Sequence, residues 1–253
     1  MCWPISMPAV RSSEPRPFSG TIWRVVGAQH QASVMKLVDS VEEQALLERL
    51  LEETKPALPR ECAGLDPLLS APFRYGAPDP GGSRFRRAGR TPGVFYGAET
   101  VETALAEMVL YRLLFFAESP DTPLPSAPLD FIGFAAAIDT QHCVDLLIEP
   151  SLRDDAHALV DKDHAAGQAL ADAARDAGVE VIRHVSVDVP IIGTHLALLS
   201  PKAFATNEPV ERELWRIRFS EAGISALCDF PRRRIGFPRS DFSADARLRA
   251  RFG

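Results

Sequence analysis

The amino-acid sequence predicts an α+β domain with mixed or antiparallel sheets and flanking helices. Helical periodicity lies mainly in the first half of the chain, β-patterned runs crowd the second half, and the two do not alternate as in a parallel βαβ array. At 253 residues and 46% hydrophobic content the chain can bury a real core within one enzyme-sized unit. No internal repeat is present.

Residues 1–19 carry proline and serine without periodicity and are expected to form a flexible lead-in. One domain is assigned to residues 20–230 and a basic C-terminal tail to 231–253. TIWRVV (21–26) alternates and is rich in β-branched and aromatic residues, which predicts a half-buried strand containing Arg24. From Ser33 to Thr54, Val34, Leu37, Val38, Val41, Leu46 and Leu50 follow the 3.6-residue period, so a surface helix packing one face is expected. Residues 55–92 are broken by prolines and glycines into a long irregular loop ending in the basic run SRFRRAGR (83–90).

GVFYGAET (93–100) predicts a short strand leading to a helix, with Thr100 placed to cap VETALAEMVLYRLLFF. Strands are expected at 130–138 and 143–149, then a helix over 154–177 that stops at Gly178. Further strands are expected at 179–187, 194–200, 212–219 and 224–230.

A formal charge of -6 weighs against a surface built to neutralise phosphates, so nucleic acid is a poor default partner. Cys2, Cys62, Cys143 and Cys228 show no C-x-x-C spacing and read as reduced thiols. No window approaches the length that spans a bilayer, and no secretory leader pattern opens the chain, so a soluble cytoplasmic protein is expected.

Glu107 stands on the stripe Thr103, Glu107, Leu110 and Leu114 of a helix that is apolar on most sides. Burying that carboxylate alone would cost several kcal/mol, so it needs a cationic partner or a cleft, the alternative being a solvated glutamate near a helix start. Arg24 is a cation in an apolar strand, on the face opposite Trp23 and Val25; its fork suits phosphate, and its bland alternative is solvent exposure. Ser186 shares a strand face with Ile182 and His184, but no G-x-S-x-G elbow marks it as a nucleophile. Asp154, His157, Asp161 and His164 recur on one helix face, where a solvated surface is a better reading than a metal site, and no metal is expected. Neither G-x-x-x-x-G-K-[ST] nor G-x-G-x-x-G occurs, so any nucleotide site is built another way. Arg84, Arg86, Arg87 and Arg90, interleaved with Phe85, could grip phosphates or form a solvated basic loop.

TIWR, then GGSRF, then GVFYGAETVETALAE, and later VIRHVSV followed by GTHLALLSPKAF resemble the RES domain from about Ile22 to Phe204. The resemblance places the family's arginine on Arg24, its tyrosine on Tyr96, its glutamate on Glu107 and its serine on Ser186, with Arg84 as the arginine after the glycine pair. It implies a fold like that of diphtheria-toxin-type ADP-ribosyltransferases and a toxin paired with an Xre-type antitoxin. It further implies that NAD is consumed as a substrate, with Arg24, Arg84, Tyr96 and Ser186 binding it. ADP-ribose would pass to water, to phosphate or to a host protein such as phosphoribosyl pyrophosphate synthetase. The rival readings are a nucleotide-binding module in which Arg24 and Glu107 form a structural pair, and an RNA-directed toxin using the Arg84–Arg90 cluster.

Overall fold

Backbone pairing, more than hydrophobic patterning, decides how far the first strand runs. In the computed structural model, which describes residues 15–28, 40–75, 81–89, 93–147, 164–185, 191 and 193–252, β1 spans Arg16–Gly27. It starts before the expected Thr21 because β3 (Leu129–Asp145) pairs with it antiparallel from Arg16↔Cys143 to Gly27↔Phe131. The strands expected at 130–138 and 143–149 are therefore one. Asp139 and Thr140 interrupt the apolar pattern, yet their backbones pair with Ser19 and Phe18 and the ladder continues.

β2 (Phe95–Ala98) joins β1 through a single pair, Trp23↔Ala98, and pairs along its length with β5 (Thr194–Leu198). β5 pairs antiparallel with β4 (Val181–Val185), and β4 runs parallel to the end of β3. Since β3 also pairs with β1, the circuit β1–β2–β5–β4–β3 closes on itself. The first half of β3 additionally carries β6 (Glu211–Ser220), followed by β7 (Gly223–Cys228) and β8 (Arg233–Phe237), all antiparallel.

Five α-helices are described. α1 (Val41–Glu53) is capped by Ser40, whose Oγ accepts from Glu43 N, but it buries none of its residues. Leu46, Leu50 and Leu51 remain exposed, which corrects the expectation that this helix packs one face. A 3.6-residue period specifies a helix without specifying what covers it. α2 (Pro67–Arg74) lies inside the stretch expected to be an irregular loop. Pro67 sits at its start, where a missing N–H costs nothing, and Asp66 caps it through Leu68 N. α3 (Val101–Glu118) is capped by Thr100 as expected. α4 (Ala165–Asp176) ends before Gly178, whose φ is +75°; residues 154–163 of the helix expected there lie outside the described residues.

After the cis bond Phe230–Pro231, the C-terminal segment forms β8 and α5 (Ala246–Phe252), which packs on α3. The buried carboxylate of Glu213 on β6 accepts from Trp215 Nε1 at 3.0 Å and pairs with Arg233, tying β8 to β6.

The apolar core has three parts. One lies between α3, α5 and β6–β8, with Trp215 and Leu105 at its centre. The second lies between α4 and the face of β4 and β5 bearing Ile182 and Ala197. The third fills the strand circuit with Ile22, Phe95, Phe134 and Leu196.

Candidate active site

Register determines which side chains meet. Trp23 faces Ala98, Ala98 faces His195 and His195 faces His184, so these four share one face of β1, β2, β5 and β4. Tyr96, two residues before Ala98, stands on the same face. α3 packs against β1, placing Glu107 over this face. The approach is close: a Cβ on Gly193, just before β5, would lie 2.4 Å from Oγ1 of the buried Thr103, one turn ahead of Glu107.

Glu107 Oε2 lies 3.2 Å from Nδ1 of His195, with the carboxylate side chain 28% exposed and the imidazole 2% exposed. Burial pushes the Glu107 carboxyl up, but the His195 hydrogen bond, with the electrostatic influence of His195, His184 and Arg84, outweighs it and holds the carboxyl below its usual range. The group is an anion at neutral pH.

His184 stacks on His195 with ring centroids 5.7 Å apart and receives the edge of Phe85 at 5.0 Å. Burial, followed by the charge of Arg84, depresses its pKa to about 3, so it is neutral at physiological pH. Its Nδ1 lies 3.1 Å from Val185 O, a group that can only accept, so the proton sits on Nδ1. Arg84 Nη1, 3.5 Å from the same nitrogen, therefore contributes charge and not a hydrogen bond.

Arg84 belongs to a turn held by Tyr96 and α4. Tyr96 Oη accepts from Phe85 N at 3.1 Å and shares a hydrogen bond with Ser83 Oγ at 2.9 Å. Gln168 Nε2 donates to Gly81 O, Ser83 O and Arg86 O, and Arg87 pairs with Asp172 at 2.7 Å. Burial raises the Tyr96 phenol above its usual value, which keeps it protonated.

Arg24 is placed differently. Alternation puts it with Ile22 on the face opposite Trp23, and its guanidinium stacks 5.1 Å over Phe95. Burial lowers its pKa to about 10, so it stays charged, and it feels the charges of Glu107 and Arg86. Its Nη1 is buried without a hydrogen-bond partner. Among the described residues no ion pair joins Arg24 to Glu107; the partner of Glu107 is His195.

The structure thus gathers Glu107, Tyr96 and Arg84 and leaves Arg24 within electrostatic range on the other face. Ser186, the residue after β4, lies outside the described residues, as do Arg90, Asp154, His157 and Asp161. His195 is the residue that sequence reasoning missed. Its signal was latent in the pairing of VIRHV with THLAL, which sets two histidines opposite each other. Among the described residues no group of three or more His, Cys, Asp or Glu could hold a metal ion, and no helix is long and apolar enough to cross a membrane.

The family model described as the RES domain matches residues 58–220. The chain belongs to the RES-domain family. Arg84, Tyr96, Glu107 and Ser186 fall inside the stretch that matches the RES model, and Arg24 precedes it. A solved structure described as the M. tuberculosis MbcT–MbcA toxin–antitoxin complex is similar to this RES chain at 13% identity, over 96% of both chains, with a TM-score of 0.45. No curated protein matches.

Proposed function

We propose that this chain is the toxin of a toxin–antitoxin pair and that it consumes NAD, breaking the nicotinamide–ribose bond and passing ADP-ribose to a protein, to water or to phosphate. One observation carries the reading: Glu107, an anion partly open to solvent, is held by a buried histidine among protein cations. Membership of the RES family and the motif resemblance support NAD as the substrate and an Xre-type antitoxin as the partner. The same resemblance supports reading the strand circuit and its helices as a diphtheria-toxin-type arrangement, and a chain that consumes NAD in this way would act in the cytoplasm, where NAD is held.

In the reaction the electron pair of the bond between ribose C1′ and the nicotinamide nitrogen leaves with nicotinamide, and the acceptor's oxygen or nitrogen forms the new bond to C1′. Positive charge develops on the ribose between the two events. An anion fixed beforehand gains strength as that charge grows, and this is the role of Glu107. Arg84 supplies a guanidinium group for the pyrophosphate, while Arg24, buried on the opposite face of the sheet, acts on the site through its charge. Tyr96 offers a flat face to a ring, and Ser186 a hydroxyl to orient the carboxamide.

The test is nicotinamide release from NAD by the purified chain, beside Glu107→Gln and Arg24→Ala. Glu107→Gln keeps size and removes charge, and should lower turnover by at least about 100-fold with the fold intact. Equal turnover in all three proteins would reject the assignment.

A further inference from the structure

We infer that His195 is a positioning residue: its Nδ1–H fixes one carboxylate oxygen of Glu107, so that the other oxygen and the negative charge face the substrate. The inference rests on the proposed NAD-cleaving reading for its kinetic consequence, while its geometric content stands without it.

Three observations carry it. The contact is direct, with Nδ1 of His195 3.2 Å from Oε2 of Glu107. The opposite ring nitrogen, Nε2, is buried without a hydrogen-bond partner. A proton on Nε2 would be a buried, unsatisfied donor, so the pattern assigns the proton to Nδ1, where it points at the carboxylate. Finally, the imidazole cannot swing away: it is 2% exposed, stacked on His184, and lies on β5 between Ala98 and His184. Strand-held donors of this kind keep their aim better than loop-held ones.

The consequences are electrostatic as well as steric. The titratable groups around Glu107 are His195 on β5, His184 on β4, Arg84 on the turn at 81–89 and, at longer range, Arg24 on β1. His184 is neutral at physiological pH, and among the described residues the hydrogen-bond donor to the Glu107 carboxylate is His195. Without it, burial raises the carboxyl, and the pH below which Glu107 is protonated and idle moves upward.

The experiment compares the full-length wild-type chain with His195→Leu and His195→Asn, whose amide N–H stands near the position of Nδ1. Nicotinamide release is followed from pH 4 to 9. His195→Leu should lower kcat by about 10- to 100-fold with KM for NAD little changed, and should move the acid limb of the profile to higher pH. His195→Asn should recover most of the rate and return the limb toward its wild-type position. A role limited to packing would lower the melting temperature without moving that limb. Unchanged kcat and acid limb in His195→Leu, or a folded His195→Asn as impaired as His195→Leu, would overturn the proposal. Should His195→Leu not fold, His195→Asn alone decides, because restored rate needs the donor. If the wild-type chain releases no nicotinamide, the NAD reading fails by itself. The geometry is then tested by carbon NMR titration of labelled glutamate, with Glu107 assigned by its absence in Glu107→Gln. A higher midpoint in His195→Leu than in the wild type, with His195→Asn close to the wild type, supports the inference; an unmoved midpoint in His195→Leu, or a His195→Asn midpoint well above the wild type, rejects it.

Discussion

Replacing Gly167 with alanine sets two effects of opposite sign against each other. Gly167 lies in the first turn of α4, and in an isolated helix alanine would be favoured there by roughly 0.5–1 kcal/mol. In the folded chain the new Cβ would stand 2.3 Å from the carbonyl oxygen of Arg84 and 3.3 Å from its Cγ. That oxygen is backbone, so no side-chain rotation relieves the clash. The turn is also held to the same helix by the Gln168 hydrogen bonds and the Arg87–Asp172 pair, so it must shift as a piece until the contact exceeds about 3.0 Å. Overpacking of this kind costs about 1–3 kcal/mol, which outweighs the gain in helix propensity over most of that range and leaves a net loss of up to about 2.5 kcal/mol. Thermal unfolding should therefore show a fall of up to about 10 °C for a chain of this size. Because the shift carries Arg84, nicotinamide release should fall by about 10-fold or more. A Gly167→Ala protein that melts above the wild type and turns over at the same rate would refute the reasoning, because helix propensity would then have prevailed over the contact.

The depressed pKa of His184 makes stability pH-dependent. Its folded value, about 3, lies below the 6.5 of the free group, so under acid conditions the unfolded chain binds a proton that the folded chain does not. This contribution is complete above about pH 6.5 and is lost at about 1.4 kcal/mol per pH unit as pH falls from there toward 3. Urea midpoints for His184→Gln should lack that slope between pH 6 and 4, and parallel curves for the two proteins would contradict it. Arg233→Ala removes the cation from the buried Glu213 carboxylate and should cost about 3 kcal/mol in urea unfolding, with Glu213→Gln in the same chain restoring part of it. A loss under about 0.5 kcal/mol would mean that solvent already screens the pair.

Local signals in the sequence were sufficient where the chain itself supplies the partner. Thr100 caps α3 because its hydroxyl and Thr103 N are three residues apart, and a carboxylate in the stripe of Thr103, Leu110 and Leu114, away from the helix ends, marked Glu107. The strands of the second half were legible from alternation, since each presents an apolar face to a core. What failed was whatever depended on a distant segment. The continuity of β3 through Asp139 and Thr140 follows from β1, more than a hundred residues earlier. His195 gains meaning only from α3 above it and β4 beside it. Arg24 shows the limit from the other side: its motif was readable, but which face of the sheet it occupies relative to Glu107 depended on the Trp23↔Ala98 register. The proline-rich stretch conceals α2 because proline reads as a helix breaker, whereas Pro67, at the first position, begins a helix.

The sheet has one side that closes and one that does not. Around the circuit β1 has a neighbour on both edges, β3 along its length and β2 at Trp23, whereas among the described residues β8 ends the sheet order with a single neighbour. That outer strand is five residues long, lies between Pro231 and Pro238, and carries Arg233 and Arg234. Short length, flanking prolines and like charge each discourage another chain from extending the ladder. At the rim where fibre growth would begin, the protein is thus guarded by the same arginine-rich segment that anchors Glu213, and truncation before Pro231 would bare β7, with Ala226 and Leu227 at its centre, to self-association.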